Sequence, residues 1–223
     1  MAILTFKDVY KTFEDGSETI EALKKTSFEI NSGELIAIVG PSGSGKSTLL
    51  TIMGGLQSPS GGEITFDGDR LDEMSIEERN RLRFKEIGFI LQTSNLIPYL
   101  TIEDQFRFVD EFAGRDYRKE HAEKLLDHMG ILKRKELYPN DLSGGEKQRA
   151  AICRALYMEP HLLLADEPTA SLDTEKAMDV VELLAEQTHD SDRSTVMVTH
   201  DERLLEFCDR VFRIVDGEVS EES

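Results

Sequence analysis

The stretch GPSGSGKS, Gly40 to Ser47, narrows the choice of fold more than any other part of this chain. It fits the spacing G-x-x-x-x-G-K-[S/T]. It stands between a short apolar run, ELIAIVG (Glu34 to Gly40), and a segment that reads as a helix from Lys46 to about Leu56. The apolar run suits a strand buried on both faces of a parallel sheet. The glycine-rich turn lets backbone N–H groups point inward around phosphate oxygens, at the positive end of the following helix. The cradle is then Gly40, Pro41, Ser42, Gly43, Ser44 and Gly45. Lys46 is expected to reach the β- and γ-phosphates, Ser47 to place its hydroxyl on Mg2+, and Thr48 to contact the α-phosphate. The pattern predicts a nucleoside triphosphate site.

Around this point the chain reads as one α/β unit with a helical insertion. ILTFKDVYKTF and EALKKTSFEI alternate as antiparallel strands do, and GGEITFDGDRL returns to strand character with a turn at Asp67-Gly68. From about Ser75 to Tyr157 the pattern is mostly helical. HLLLAD and STVMVTH are short buried strands, with a helix near Thr174 to Thr188 between them. RVFRIVDGEVSEES closes the chain as a hairpin and an acidic tail. With 223 residues there is room for one substantial core.

Three further residues are candidates for chemistry because of where they fall. Asp166 ends one buried strand and Glu167 follows it. Asp166 is expected to hold Mg2+ through water, and Glu167 to polarise the water that attacks the γ-phosphate. The plain alternative is two solvated or helix-capping acids. His200 ends another buried strand, and the carboxyl ends of strands are where open α/β sheets bind ligands. Its expected role is to contact the γ-phosphate and orient that water. Gln92, after GFIL, ends one more apolar segment and is undistinguished by its side chain alone.

A second phosphate-like cradle stands about a hundred residues on. In DLSGGEKQR, Ser143 and Glu146 form the S-x-x-E pattern of a capping box opening a helix. That leaves Gly144 and Gly145 unexplained, since glycine in a helix costs roughly 1 kcal/mol relative to alanine. Close approach of a phosphate to the backbone would account for them. The first cradle already serves one nucleotide, so the second is expected to serve a nucleotide held by another subunit.

Taken in order, the phosphate loop, Gln92, LSGGEKQ, LLLADEP, Ser171 to Asp173 and His200 resemble the ATP-binding subunit of ABC transporters, over essentially the whole chain. LQTSNLIPYLTIEDQ and LADEPTASLDTEKA are similar to the branch that powers MacB-type and lipoprotein-releasing transporters, and most of all to the ATPase of bacterial haem exporters. The resemblance implies a single ATP-binding domain over 1–223. Its core, mostly parallel sheet with flanking helices, and its antiparallel β-subdomain would lie in about 1–92 and 158–223, with a helical subdomain in about 93–157.

It also implies roles. Lys46, Glu167 and His200 would serve catalysis, and Ser47, Gln92 and Asp166 the metal. Phe13 would stack on adenine, with a core position as its alternative and Tyr10 as the competing aromatic. Ser143, Gly144 and Gly145 would touch the γ-phosphate of a partner's ATP, and Asp173 would link the two sites across the dimer. Glu146 stands where many members have glutamine.

The implied cofactors are ATP and Mg2+. The implied partners are a second copy of this chain and an integral-membrane permease facing residues 92–104. Leu96, Ile97, Pro98, Tyr99 and Leu100 fit permease contact and internal packing equally. The cytoplasmic face of the cell membrane is the implied location, with attachment through the permease. Transport of haem or a similar amphipathic molecule outward is the expected task, with lipoprotein release or peptide and drug efflux as alternatives.

Composition enters as a set of exclusions. A net charge of −18 disfavours bulk binding of nucleic acid, and Lys133 to Lys135 is only a short basic run. Apolar runs fall short of the roughly 20 residues that cross a bilayer, and MAILTFKDVY does not read as a secretion signal. Cys153 and Cys208 lack metal spacing and are expected to be reduced thiols. The one-cassette layout argues against the soluble ABC proteins of translation or repair, and the intact candidate residues argue against a purely regulatory cassette.

Overall fold

The computed structural model describes residues 1–16, 18–170, 172–189 and 192–222; Ser171 of the Ser171–Asp173 stretch lies outside them. The chain runs β1 (Ala2–Asp15), β2 (Glu18–Asn31), β3 (Leu35–Val39), α1 (Lys46–Met53), β4 (Gly61–Phe66), β5 (Asp69–Arg70), α2 (Ile76–Glu86) and β6 (Ile87–Ile90). It continues through α3 (Ile102–Phe112), α4 (Lys119–His128), α5 (Gly144–Leu156), β7 (Leu162–Asp166), α6 (Thr174–His189), β8 (Ser194–Val198), β9 (Arg210–Val215) and β10 (Glu218–Glu222).

Six strands form the central sheet in the order β10-β9-β3-β8-β7-β6. All neighbours are parallel except β9 and β10. Every residue of β3 and β8 is buried, which is why their sequences are continuous apolar or small-residue runs rather than alternating ones. The side chains of β7 divide between two cores. Leu162 and Leu164 join α1, Ile36 and Val196 on one face. Leu163 and Ala165 join Phe106 of α3, Leu126 of α4, Ile152 of α5 and Leu184 of α6 on the other. The parallel strands therefore deliver their carboxyl ends to one edge of a sheet covered on both sides.

The second sheet, β2-β1-β4-β5, is antiparallel. Its inner residues Leu4, Phe6, Leu23 and Ile30 pack on the same core as α1. The two sheets also meet through the turn of the last hairpin. There Asp216 and Gly217 have φ of 48° and 75°, as a two-residue hairpin turn requires. The Gly217 amide donates to the Ser44 carbonyl (3.0 Å), and its carbonyl accepts from the Lys24 amide (2.8 Å).

Two expectations change. The stretch from Ser75 to Tyr157 is interrupted by β6, the edge strand of the central sheet. Helix α1 ends at Met53 rather than near Leu56, where Gly54 and Gly55 follow. The terminal hairpin forms as expected.

Candidate active site

Two of the loop's glycines are required by backbones pressed against them. Gly45 has φ of 106°, and a Cβ there would lie 2.3 Å from the Ala22 carbonyl oxygen; at Gly40 the corresponding distance to the Ile214 carbonyl oxygen is 2.1 Å. The loop is thus held between β2 and β9. No side chain caps α1, so its first N–H groups are left for an anion. Lys46 Nζ arches back and donates to the carbonyls of Gly40 (2.8 Å) and Pro41 (2.7 Å). An ammonium has three donors, which leaves one for a phosphate oxygen.

These elements open on a cavity of about 530 Å³ lined by Gly40, Ser42, Gly43, Gly45, Lys46, Ser47, Thr48, Gln92, Asp166, Glu167 and His200, with Ala22 and Val198. The ends of β3, β6, β7 and β8 thus bring together candidates spread from residue 40 to residue 200. Pro41 is exposed and Ser44 is buried beside the loop; neither lines the cavity.

Ser47 Oγ donates to Asp166 Oδ2 at 3.3 Å. Burial raises the Asp166 carboxyl above its ordinary value, the Ser47 bond pulls it back, the charge of Glu167 raises it again and Lys46 lowers it. Among the described residues no three His, Cys, Asp or Glu side chains converge as a metal site. A hydroxyl and a carboxylate beside a phosphate-sized space nonetheless fit Mg2+. That ion takes one or two protein oxygens and completes its shell from substrate phosphates and water.

Glu167 adopts φ of 50°, a left-handed conformation that costs of the order of 1–3 kcal/mol in a non-glycine residue. Its amide donates to the Val198 carbonyl at 3.0 Å, holding β7 and β8 together where their side chains emerge. His200 Nδ1 lies 2.8 Å from Glu167 Oε2. This bond, then the carboxylate's charge, raises the His200 pKa above 6.5. The sign follows from linkage: the stabilisation is fully present below the unfolded value and is lost as pH rises through the raised folded one. In an NMR titration, Glu167→Gln is expected to bring the His200 pKa down toward 6.5. An unchanged titration would show that the pair does not exist in solution.

The remaining candidates lie elsewhere. Phe13 is 38 % exposed on β1, opposite Ile20, with Lys11 Nζ 5.1 Å from its ring centroid. It is therefore not a core residue, and it does not line the cavity. Asp173 caps α6: it accepts from the Lys176 amide at 3.1 Å and pairs with the Lys176 ammonium. Ser143, Gly144 and Gly145 open α5 and do not line the cavity, and Ser143 and Gly144 are exposed.

The capping box forms, Ser143 Oγ accepting from the Glu146 amide (3.3 Å) and Glu146 Oε2 from the Ser143 amide (2.9 Å). The Ser143 amide, then Arg134, pull the Glu146 carboxyl down to about 2. Of the two cysteines, Cys153 is buried and Cys208 partly so, and they are not joined in a disulfide.

The model of the family described as ABC transporter matches residues 23–170, from β2 to just past Glu167. The chain belongs to the ABC transporter family. It is 46% identical over 218 residues to HrtA of Staphylococcus haemolyticus, a protein named as an ATP-binding protein of hemin import, covering 97% of this chain and 98% of that one. It is 42% identical over 220 residues to a HrtA of Staphylococcus aureus, covering 98% and 99%. Among solved structures, the dimeric post-hydrolysis cassette MJ0796 bound to ADP and Pi superposes with a TM-score of 0.92 at 37% identity, covering 99% of this chain and 98% of that one. CbiO1 of Clostridium perfringens, part of the transporter complex cbiONQ, gives 0.83 at 31% identity, covering 98% and 87%. This ABC ATPase therefore has the fold expected for it, and ATP hydrolysis is its reaction.

The sequence reading missed the residues of this ABC ATPase that hold the segment after β6. Gln105 of α3 and Gln148 of α5 are each 2% exposed. Gln105 bonds the backbone of Ile97 and Leu100, and Gln148 that of Leu91. Both are amides among apolar helical neighbours, Ile102 and Phe106 for one and Ala151 and Ile152 for the other, and that contrast was a signal available in the sequence.

Proposed function

We propose that this ABC ATPase powers a membrane transporter of haem or a similar amphipathic molecule, working outward, with Lys46, Ser47, Gln92, Asp166, Glu167 and His200 as its cis catalytic set. The observation that carries the chemistry is that these six side chains line one cavity at the carboxyl ends of parallel strands. ATP places its phosphates against the loop amides and Lys46, and Phe13 offers its exposed ring to the adenine. Mg2+, held by Ser47 and Asp166 and joined by Gln92, neutralises phosphate charge when bound. Glu167 orients the attacking water and accepts its proton as the new P–O bond forms and the bond to the β-phosphate bridging oxygen breaks. His200, steered by its bond to Glu167, contacts the γ-phosphate.

Ser143, Gly144 and Gly145 lie outside this cavity at an exposed helix start. They reach the γ-phosphate of a second copy's ATP in a head-to-tail pair, with Asp173 passing between the two sites. The dimeric MJ0796 structures support that assembly.

Among the described residues no helix is long and apolar enough to cross a membrane, so movement of a substrate calls for a permease. The helical segment 93–157 presents the face that suits one. Tyr99 and Phe112 are 79% and 70% exposed, and Phe112 lines a groove of about 490 Å³ with Phe84, Phe89, Val109 and Met158. Leu96, by contrast, packs on the core beside α5. The segment thus divides between permease contact and internal packing.

Docking of this face to a permease places the chain on the cytoplasmic face of the membrane. The haem reading is supported by the relatives named for hemin import; that name gives the opposite direction, and the outward reading rests on the resemblance to MacB-type and lipoprotein-releasing systems alone.

The test is to purify the chain with its membrane partner and follow haem in inside-out vesicles on adding ATP. ATP-dependent accumulation that is absent in Glu167→Gln is expected. Loss of preloaded haem would reverse the direction, and ATP turnover without haem movement would overturn the substrate. Recovery with ribosomes and no membrane protein would overturn transport.

A further inference from the structure

The segment from Leu91 to Leu100 forms neither helix nor strand, so its backbone polar groups need partners from elsewhere. Helix α5 supplies two on either side of Gln92. Gln148 Nε2 donates to the Leu91 carbonyl at 3.1 Å, and Arg154 Nη1 donates to the Asn95 carbonyl at 2.9 Å. Asn95 sits in the left-handed region with φ of 45°, so the segment turns sharply where Arg154 grips it. Gln148 is almost wholly buried on the face of α5 that carries Ala151 and Ile152 into the apolar core. Packing alone would be served by leucine or methionine there. The amide is matched to the Leu91 carbonyl, since a buried polar group without a partner is destabilising.

Gln92, the first residue after the Leu91 anchor and on the near side of the Asn95 anchor, lines the nucleotide cavity. The helix that carries the anchors begins at Gly144, beside Ser143. The cavity of one nucleotide and the exposed helix start are therefore joined through two side chains, although the candidates Gln92 and Ser143 do not share a cavity.

We infer that Gln148 and Arg154 are positioning residues that fasten the backbone on either side of Gln92 to helix α5 and so hold Gln92 where it can contact the metal. This rests on the proposed reading of Gln92 as a metal contact. A movement of α5 carries the carbonyls of Leu91 and Asn95 with it, and with them the backbone that bears Gln92. Arg154 also lines the groove beside Phe112, so an occupant of that groove acts on the same tether.

The experiment uses the full chain in a Glu167→Gln background, where turnover is suppressed. It reads the Mg2+ concentration that half-saturates binding of a fluorescent ATP analogue. Gln92→Ala is expected to raise that concentration roughly tenfold, and Gln148→Met and Arg154→Met to raise it by a similar factor, as loss of an outer-shell partner does at metal sites. Combining Gln92→Ala with Gln148→Met is expected to add little, because both act on one contact. Arg154→Lys keeps a donor and should stay near the parent value.

Thermal melting identifies any variant that fails to fold, and Arg154→Met carries the test if Gln148→Met does. A rise for Gln92→Ala with none for either methionine variant overturns the tether and leaves the Gln92 reading standing. No rise for Gln92→Ala overturns the Gln92 reading and the tether's role with it.

Discussion

Replacing Glu167 by glutamine is expected to lower ATP turnover by roughly 100- to 10,000-fold, the contribution of a positioned general base. At about 1.4 kcal/mol per factor of ten, that is ~3–5 kcal/mol of transition-state stabilisation. Glutamine keeps the volume and a carbonyl oxygen that can still accept from His200, so ATP binding should change little. It cannot take a proton from water. The two effects combine at one atom, because Glu167 Oε2 also faces His200 Nδ1 at 2.8 Å. Loss of the carboxylate removes both the base and the charge that raises the His200 pKa. Steady-state phosphate release and equilibrium ATP binding, measured on the same preparation, separate rate from affinity. Turnover within roughly threefold of the parent, well short of what loss of a general base removes, would show that the attacking water is activated by another group.

Lys46→Met is expected to act on the other quantity. Its ammonium already donates to two loop carbonyls, at 2.8 and 2.7 Å, and reaches phosphate from that position. A hydrogen bond to a charged group contributes about 1.5–3 kcal/mol, so ATP affinity should fall roughly 10- to 100-fold. Thermal stability should change little, because the bonds lost lie in a loop open to the cavity. Calorimetric titration with ATP reads the first expectation and a melting curve the second. Unchanged affinity would remove Lys46 from the phosphate site, and a large fall in melting temperature would make it a structural residue instead.

The legible parts of this site share a physical reason. Gly40 to Thr48, Asp166, Glu167 and His200 all follow short apolar runs, and such runs are strands whose carboxyl ends gather at one edge. Local pattern therefore carried a long-range result. The capping box at Ser143 was legible for the opposite reason, being local altogether. What escaped was neither. Strand β6 is only Ile87–Ile90, directly after the last residue of α2, too short for alternation to stand out from helical periodicity. The side chains that hold Leu91 and Asn95 lie 57 and 59 residues further along the chain, and no spacing rule relates such positions. For Phe13 the sequence left core and surface open, and its place near the outer end of the β1–β2 hairpin decides for the surface.

The turn at Gly217 has a consequence for how the chain matures on the ribosome. The wall behind the phosphate loop is made of late residues: the Ile214 carbonyl presses on Gly40, and Gly217 bonds both Ser44 and Lys24. The loop comes early in the sequence, yet its shape is completed by β9 and the turn before β10, which are made much later. Nascent chains that stop before β9 carry every residue of the GPSGSGKS stretch and lack the backing that holds it. A chain stopped there would hold the loop's residues without the fixed geometry that presents its amides to a phosphate.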